Sequence, residues 1–291
     1  MTSPAGLGIL VGIDGSPESH AAVRWAADEA VLRHRPVTLM HVVSPIIASW
    51  SIEAVLSDYQ VWQEDHADNV IARTLDTLRT AVPGSPPDVR VERRHGGPVA
   101  ELTAASADAD LIVLGSRGLG PVGAAVLGSV SRALLHHAGC PVVLVREGVV
   151  RSTDRGLPVV LGIDGSPASE AATAFAFDEA SRRGVDLVAL HAWSDVAVFP
   201  FLGMDWHQFE EQGHEVLAER LAGWQERYPD VTIRRRVVCD KPARWLIDES
   251  NQSQLVVVGS RGRGGISGML LGSVSTSVAE SARAPVAVIR A

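Results

Sequence analysis

Lysine is almost missing from this sequence, in which Lys241 is the single lysine among 26 basic residues. A P-loop requires the pattern G-x-x-x-x-G-K-[ST], and Lys241 lies in no such pattern, so a P-loop NTPase is excluded. The other basic residues are arginines, and their one dense run, Arg234-Arg235-Arg236, falls in a strand-like segment. We interpret this run as a solvated strand face. A nucleic-acid partner is not expected, because the net charge is −8 and such proteins need a basic face.

Cysteines and long apolar stretches are equally scarce. The two cysteines, Cys140 and Cys239, occupy non-equivalent positions and neither belongs to a C-x-x-C pair, so we expect reduced thiols in or near the core. No segment reaches the roughly 18 apolar residues of a membrane span, and the first eight residues carry no basic region. We therefore expect a cytoplasmic protein without a membrane span.

What the sequence does contain is an internal duplication. The string GIDGSP at 12–17 recurs at 162–167, an offset of 150 residues. The string GSRG at 115–118 recurs at 259–262, an offset of 144 residues, and a string LGSVS further on keeps the same offset. The second copy therefore lacks six residues in its middle. The chain is predicted to form two tandem domains, 1–147 and 157–291, joined by a short exposed linker.

Each half alternates strand-like and helix-like segments. Predicted helices of the first half cover 17–34, 57–81, 98–107 and 129–138. The predicted strands are short and largely apolar: 9–13, 37–43, 89–94, 111–114 and 142–145, then 159–163, 187–192, 232–238, 255–258 and 286–289. This alternation predicts an α/β fold, a parallel sheet covered by helices on both faces. The last strand of each half is a candidate edge that invites pairing.

A glycine-rich loop follows the fourth strand of each half. It reads Gly115-x-x-Gly118, then nine residues, then Gly128-Ser129, and the second copy repeats this spacing. Glycines let the backbone approach an anion closely and adopt positive φ. The helix that begins at Ser129 offers free N–H groups and a favourable dipole, so the loop is predicted to bind phosphate. A plain strand–loop–helix connection is the alternative.

An aspartate closes the first strand of each half, Asp14 in the first and Asp164 in the second. In an open α/β sheet, ligands bind at the carboxyl ends of the strands. A carboxylate there could hold a divalent cation that bridges to phosphate, or accept hydrogen bonds from ribose hydroxyls. A local Asx turn is the alternative.

The duplicated pattern, with its aspartate after an apolar strand, resembles the ATP-binding pattern of the universal stress protein family in its tandem form. The resemblance implies two open five-stranded parallel sheets of order 3-2-1-4-5, with ATP and Mg²⁺ bound in each domain. Asp14 and Asp164 would lie on the ribose and metal side. The implied nucleotide-binding residues are Gly12, Asp14, Val42, Gly115, Ser116, Arg117, Gly118, Leu119, Gly120, Gly128, Ser129, Val130 and Ser131, and in the second domain Gly162, Asp164, Ala192, Gly259, Ser260, Arg261, Gly262, Arg263, Gly264, Gly272, Ser273, Val274 and Ser275.

The resemblance further implies a nucleotide-dependent regulator of stress response or growth control, working as a homodimer with an unknown protein partner. A slow ATP-hydrolysing or ATP-using enzyme is the alternative. The string 118–123 also matches G-x-G-x-x-G, but its second copy breaks that pattern, so a dinucleotide site is set aside. His41 and His191 are expected to be structural. Gly115→Ala and Asp14→Glu are expected to weaken ATP binding with little effect on folding.

Overall fold

The computed structural model of the chain describes residues 6–45, 53–84, 86–119, 127–148, 156–192, 206–262 and 271–290. The chain divides into two compact units, Met1–Gly148 and Val149–Ala291. Each unit is an α/β domain, and each is described by itself.

Unit 1 contains one parallel sheet. Its elements, in chain order, are β1 (Gly8–Gly12), α1 (Pro17–Arg33), β2 (Val37–Val43), α2 (Glu53–Ala81), β3 (Val89–His95), α3 (Pro98–Ser106), β4 (Ala109–Gly115), α4 (Ser129–His137) and β5 (Val142–Val145). The strand order is β3-β2-β1-β4-β5 with every pair parallel. Helix α1 packs with α2, and α3 packs with α4. The predicted order 3-2-1-4-5 is confirmed.

Unit 2 repeats this arrangement. Its elements are β6 (Val159–Gly162), α5 (Pro167–Arg183), β7 (Leu187–Ala192), α6 (Trp206–Leu221), α7 (Trp224–Arg227), β8 (Ile233–Val238), α8 (Pro242–Glu249), β9 (Leu255–Gly259), α9 (Ser273–Ser281) and β10 (Val286–Ile289), with a short 3₁₀ turn at Ser250–Gln252. The strand order is β8-β7-β6-β9-β10, again parallel throughout.

Strand pairing locates the six missing residues of the second copy. Val37 pairs with Val89 in unit 1, and Leu187 pairs with Ile233 in unit 2. The offset is 150 at the first position of each pair and 144 at the second, so the deletion lies between β7 and β8. The corresponding stretch of unit 1 contains the 29-residue helix α2. In unit 2 the described part of this stretch holds the shorter helices α6 and α7, with Gly223 at φ +79° between them.

The first helix of each unit begins as the sequence predicts. The Ser16 hydroxyl oxygen accepts a hydrogen bond from the Ser19 N–H at 3.1 Å, and Pro17 is the first helical residue. Ser166 caps α5 in the same way, from the Ser169 N–H at 3.2 Å. Such a cap satisfies one of the N–H groups that a helix start leaves free. Both first helices therefore start at a fixed residue, directly after a strand end.

The two thiols differ in their surroundings. Cys140 is buried, and burial raises the pKa of its thiol to about 12, so it stays protonated and inert. Cys239 is exposed, so the prediction that both cysteines lie in or near the core is wrong for it. Cys239 directly follows the last residue of β8 and lies at the surface. Neither cysteine forms a disulfide.

The arginine run lies on an exposed strand of unit 2, in agreement with its interpretation as a solvated strand face. Arg234, Arg235 and Arg236 are all exposed on β8, and Arg234 forms an ion pair with Asp186. Among the described helices of the chain, none combines the length and the apolar character needed to cross a membrane.

The first helix of each unit contains a buried ion pair. In unit 2, Arg183 Nε lies 2.8 Å from Glu179 Oε2, and the two side chains are 3% and 0% exposed. Arg183 also donates to Gln254 Oε1 at 3.2 Å. The pair recurs in unit 1 as Arg33 with Glu29. Because a buried charge is costly without its partner, each pair is a point at which one substitution destabilises the whole unit.

Adjacent arginines on α5 allow a controlled test of this buried pair. Arg183→Ala removes the buried cation that pairs with Glu179 and should lower the free energy of unfolding by about 3–5 kcal/mol. Arg182→Ala removes an exposed pair with Asp178, also one helical turn apart, and should cost less than about 1 kcal/mol. Urea denaturation followed by circular dichroism measures both. Equal losses for the two variants would contradict the assignment.

Candidate functional site

A cavity of about 360 Å³ opens at the carboxyl ends of β1, β2 and β4 in unit 1. It brings together most of the predicted residues of the first half: Gly12, Asp14, Val42, Gly115, Arg117, Gly118, Leu119, Gly128, Ser129, Val130 and Ser131. Ser116 does not line it, and Gly120 lies outside the described residues. Residues far apart in the chain therefore meet where the strand order reverses, the expected place for a ligand in an open α/β sheet.

Two hydrogen bonds close the glycine loop. The Gly128 N–H donates to the Ser116 carbonyl oxygen at 2.9 Å. The Ser131 hydroxyl donates to the Gly115 carbonyl oxygen at 2.7 Å and is buried. The start of α4 is thereby tied to the end of β4. The Ser131 hydroxyl proton is used in this contact, so the hydroxyl can offer a ligand only its remaining lone pairs.

The N-terminus of α4 has no side-chain cap. Gly128 occupies the N-cap position without a side-chain hydrogen bond, in contrast to the serine caps of α1 and α5. Ser129, Val130 and Ser131 form the first turn and line the cavity. The first N–H groups of a helix have no partner within the helix, and its dipole concentrates positive potential there. This end of the cavity therefore suits an anion.

The two carboxylate oxygens of Asp14 have different neighbours. Its Oδ1 accepts from the Ser16 N–H at 2.9 Å and from the Ser16 hydroxyl at 2.6 Å, which forms the Asx turn weighed as an alternative. Its Oδ2 points to the glycine loop, since a Cβ built on Gly118 would lie 2.6 Å from it. One oxygen thus shapes the strand–helix turn, and the other faces the part of the loop that lines the cavity.

One of the loop glycines, Gly115, is required for close packing. Among the described residues, Gly115, Gly118 and Gly128 do not have positive φ, so that part of the prediction is wrong for them. A Cβ on Gly115 would lie 2.8 Å from Glu18 Cβ and 2.9 Å from the Glu18 carbonyl carbon. The end of β4 therefore contacts the backbone of α1. The expectation that Gly115→Ala barely affects folding is wrong on this geometry.

Arg117 has a partner that the sequence analysis missed. Its Nη2 lies 2.6 Å from Glu18 Oε1, and the two side chains are 30% and 10% exposed. The Arg117 Nε is buried and has no hydrogen-bond partner among the described residues. Arg117 thus lines the cavity as half of an ion pair. No local pattern indicates this contact, because 99 positions separate the two residues.

The opposite wall of the cavity is largely apolar, and the sequence analysis also missed most of it. Met40 and His41 precede Val42 on β2, and Pro98 with Leu102 covers the cavity from α3. A Cβ on Gly12 would lie 2.7 Å from Leu114 Cδ2 and 3.2 Å from Leu102 Cδ1, so Gly12 makes room for both leucines. A signal was present, because the proline and leucine recur as Pro242 and Leu246 at the 144-residue offset.

His41 and His191 are hydrogen-bonded as expected. The Nδ1 of His41 lies 2.9 Å from the Ile13 carbonyl oxygen, and that of His191 lies 2.8 Å from the Ile163 carbonyl oxygen. Both side chains are buried at the end of an apolar strand. Each histidine thus joins the second strand of its sheet to the residue that follows the first.

The described part of unit 2 repeats the geometry of the loop. The Gly272 N–H donates to the Ser260 carbonyl oxygen at 2.8 Å, and the Ser275 hydroxyl donates to the same oxygen at 3.1 Å. A Cβ on Gly262 would lie 2.5 Å from Asp164 Oδ2. Gly272 again lacks a side-chain cap before α9, which begins Ser273-Val274-Ser275. Gly162 ends β6, Ala192 ends β7 and Gly259 ends β9.

Two of the predicted residues of unit 2, Arg263 and Gly264, lie outside the described residues. The prediction that Asp14 and Asp164 bind a metal ion remains a prediction. The part of the chain that the structure describes contains no group of three or more His, Cys, Asp or Glu side chains able to hold a metal ion by themselves. A cation bridging to phosphate needs fewer protein ligands than that.

Comparison with known proteins agrees with this architecture. The sequence profile described as "Universal stress protein family" matches residues 8–146 and 157–290. A universal stress protein of Mycolicibacterium smegmatis is 52% identical over 284 residues, which cover 97% of each chain. One from Mycobacterium tuberculosis is 52% identical over 286 residues, covering 98% of this chain and 96% of its own. The crystal structure of a universal stress protein from Archaeoglobus fulgidus has a TM-score of 0.68 at 22% identity, with 98% of each chain covered. The chain therefore belongs to the universal stress protein family, as two tandem copies of its domain.

Proposed function

We propose that the chain is an ATP-binding regulator with one nucleotide site in each domain, acting in stress response or growth control. The observation that carries the proposal is the uncapped N-terminus of α4, which opens on a cavity whose other wall is apolar. Such a cavity fits a ligand with a flat apolar end and an anionic end. The family resemblance adds to the proposal a cytoplasmic homodimer with a further protein partner.

The anionic end of the ligand would lie at α4. The free N–H groups of Ser129, Val130 and Ser131 can donate to phosphate oxygens, and the helix dipole favours the negative charge. Because Gly118 has no side chain, the loop backbone beside Asp14 would be accessible to a phosphate. In unit 2, Ser273, Val274 and Ser275 would take the same role.

The base of the nucleotide would lie against Met40, Val42 and Leu102. These side chains belong to the apolar wall, and the backbone at the end of β2 offers hydrogen bonds for the adenine edge. A volume of about 360 Å³ is within the range of small-molecule sites. In unit 2 the corresponding strand end is Ala192.

Mg²⁺ would arrive with the nucleotide. Asp14 Oδ2 is the carboxylate oxygen that faces the loop, and Asp164 Oδ2 is its counterpart. Mg²⁺ is held in many nucleotide sites by one or two carboxylates together with phosphate oxygens. Its chemical contribution would be to neutralise phosphate charge beside the aspartate.

A charge placed at the start of α4 tests the phosphate position. Ser129 is exposed at the first helical position, where the helix dipole favours a carboxylate, so Ser129→Asp should fold normally. It should repel phosphate and weaken ATP binding at the first site by at least about thirtyfold. Isothermal titration calorimetry should then give one ATP per chain in place of two.

The control for this variant is Ser129→Asn, because the asparagine side chain has the size of aspartate without its charge. Its affinity should stay within about threefold of the natural protein. Ser273→Asp is the matched change in unit 2, and the double aspartate variant should bind no ATP. Undiminished stoichiometry in the double variant would overturn the proposed sites.

Hydrolysis separates a regulator from an enzyme. Binding requires only the cavity, whereas fast phosphoryl transfer also requires groups that position water and stabilise the transferred charge. We expect the purified protein with MgATP to turn over more slowly than about 1 s⁻¹, the lower limit of typical enzymes. Release of phosphate, measured in a coupled assay, is the readout. A faster rate that disappears in the double aspartate variant would establish the enzyme alternative.

The glycine that contacts α1 should matter for folding before it matters for binding. Gly115→Ala puts a methyl group against the backbone of Glu18 and should destabilise unit 1 by about 1–3 kcal/mol. Gly84→Ala is not a suitable control, because Gly84 has φ of +106°. Gly97→Ala is a better control, since its Cβ would meet nothing within 4 Å and only a glycine N-cap of α3 is lost, at a cost below about 1 kcal/mol. Thermal unfolding measures both, and equal melting temperatures would contradict the packing role of Gly115.

A further inference from the structure

The two domains differ in the charge of the residue that contacts their first loop glycine. The first turn of α1 reads Pro17-Glu18-Ser19, and that of α5 reads Pro167-Ala168-Ser169. In both domains the residue at this position contacts the first loop glycine. A Cβ on Gly115 would lie 2.8 Å from Glu18 Cβ, and one on Gly259 would lie 2.8 Å from the Ala168 carbonyl carbon. The backbone geometry is therefore shared, while the carboxylate is present in one domain only.

The Glu18 carboxylate pairs with the loop arginine, Arg117, and neutralises its charge. In unit 1, Arg117 is half-buried and its Nη2 lies 2.6 Å from Glu18 Oε1. The positive charge beside the phosphate loop is thus neutralised before any ligand arrives. An anion that used Arg117 would have to compete with Glu18 or accept the carboxylate as a neighbour.

In unit 2 the corresponding arginine has no such partner. Arg261 is exposed, and its guanidinium makes no ion pair or hydrogen bond within the described ranges 156–192, 206–262 and 271–290. The position of the carboxylate is filled by Ala168. The loop of unit 2 therefore offers a full positive charge where the loop of unit 1 offers a neutral pair.

We infer that Glu18 is a specificity-determining residue that lowers the affinity of the first site for polyphosphates, leaving the second site as the tighter one for ATP. The inference rests on the proposed function and assigns the two sites different ligand charge preferences. The second site would fill first as ATP rises, and the first site would discriminate less between ATP and AMP.

Electrostatics gives the size of the effect. A unit charge within about one Debye length of a bound phosphate changes the affinity by about tenfold at low salt. ATP has more negative charge than AMP, so the change should be smaller for AMP, about threefold. Added salt screens the interaction, and the difference should shrink at about 0.5 M.

The cleanest test changes the charge within one site, because the native loops also differ at Leu119 and Arg263. In the full chain with its second site closed by Ser273→Asp, Glu18→Gln keeps the size of the side chain and Glu18→Ala copies unit 2. Both should lower the Kd for ATP about tenfold in calorimetry at low salt. A melting curve for each variant verifies that the chain remains folded.

The reciprocal exchange uses the second site, with the first closed by Ser129→Asp. Ala168→Glu should raise the Kd for ATP about tenfold, whereas Ala168→Gln adds the same bulk without charge and should change it by less than about threefold. The difference between the glutamate and glutamine variants reports the charge alone. Titrations with ATP and AMP at two salt concentrations complete the set.

The outcomes distinguish the inference from the proposed function. If neither site of the natural chain binds ATP or AMP, the proposed function fails. If both sites bind and Glu18→Gln leaves the Kd unchanged, only the inference fails. Weaker binding by Glu18→Gln also overturns it, because Glu18 would then orient Arg117 towards the phosphate. A tighter Kd in Glu18→Gln together with a weaker one in Ala168→Glu supports it.

Discussion

The hydrogen bond from the Gly128 N–H to the Ser116 carbonyl oxygen, 2.9 Å long, is the contact on which the first site depends. It holds the start of α4 beside the end of β4 although 12 positions separate the two residues. The next N–H groups of the helix, from Ser129 to Ser131, have no partner within the helix, and these residues line the cavity. The equivalent bond in unit 2, from Gly272 to Ser260, is 2.8 Å long. Both glycine loops therefore present a helix start, which is the feature on which the proposed anion site rests.

This contact also explains the spacing of the glycines. Gly115 lies against the backbone of α1, Gly118 faces Asp14 Oδ2, and Gly128 is the uncapped start of α4. For Gly115 and Gly118 the constraint is room for the neighbour, whereas a Cβ on Gly128 would meet nothing closer than 3.4 Å. The conformational freedom of glycine is used elsewhere, at Gly15, with φ of +80°, in the turn between β1 and α1. The three glycines of the motif therefore have different roles, two in packing and one at an uncapped helix start.

The sequence predicted the features that depend on neighbouring residues. The apolar runs and the Ser16-Pro17 helix start are local patterns, and the duplication made each prediction twice, so the predicted strands agree with the structure. The strand order was implied by the family resemblance, and it is confirmed as well. Contacts across the fold could not be read in this way. The pair of Glu18 with Arg117 joins residues 99 positions apart, and Leu102 reaches the cavity only after α3 has packed on the sheet. The prediction of positive φ was wrong for the loop glycines, because it attributed them to backbone conformation, whereas Gly115 is required for packing against Glu18.

The duplication separates what the geometry requires from what can vary. Both copies keep the aspartate, the loop glycines and the uncapped helix start. The position of Glu18 and Ala168 is different in kind, because both residues present their backbone to the first loop glycine and differ in the side chain beyond Cβ, which in Glu18 ends in a charge. A second copy can therefore change its electrostatics there without altering its fold. Under the proposed function, two sites in one chain that share a geometry but not a charge would respond to different concentrations of one ligand, which a single domain could not do.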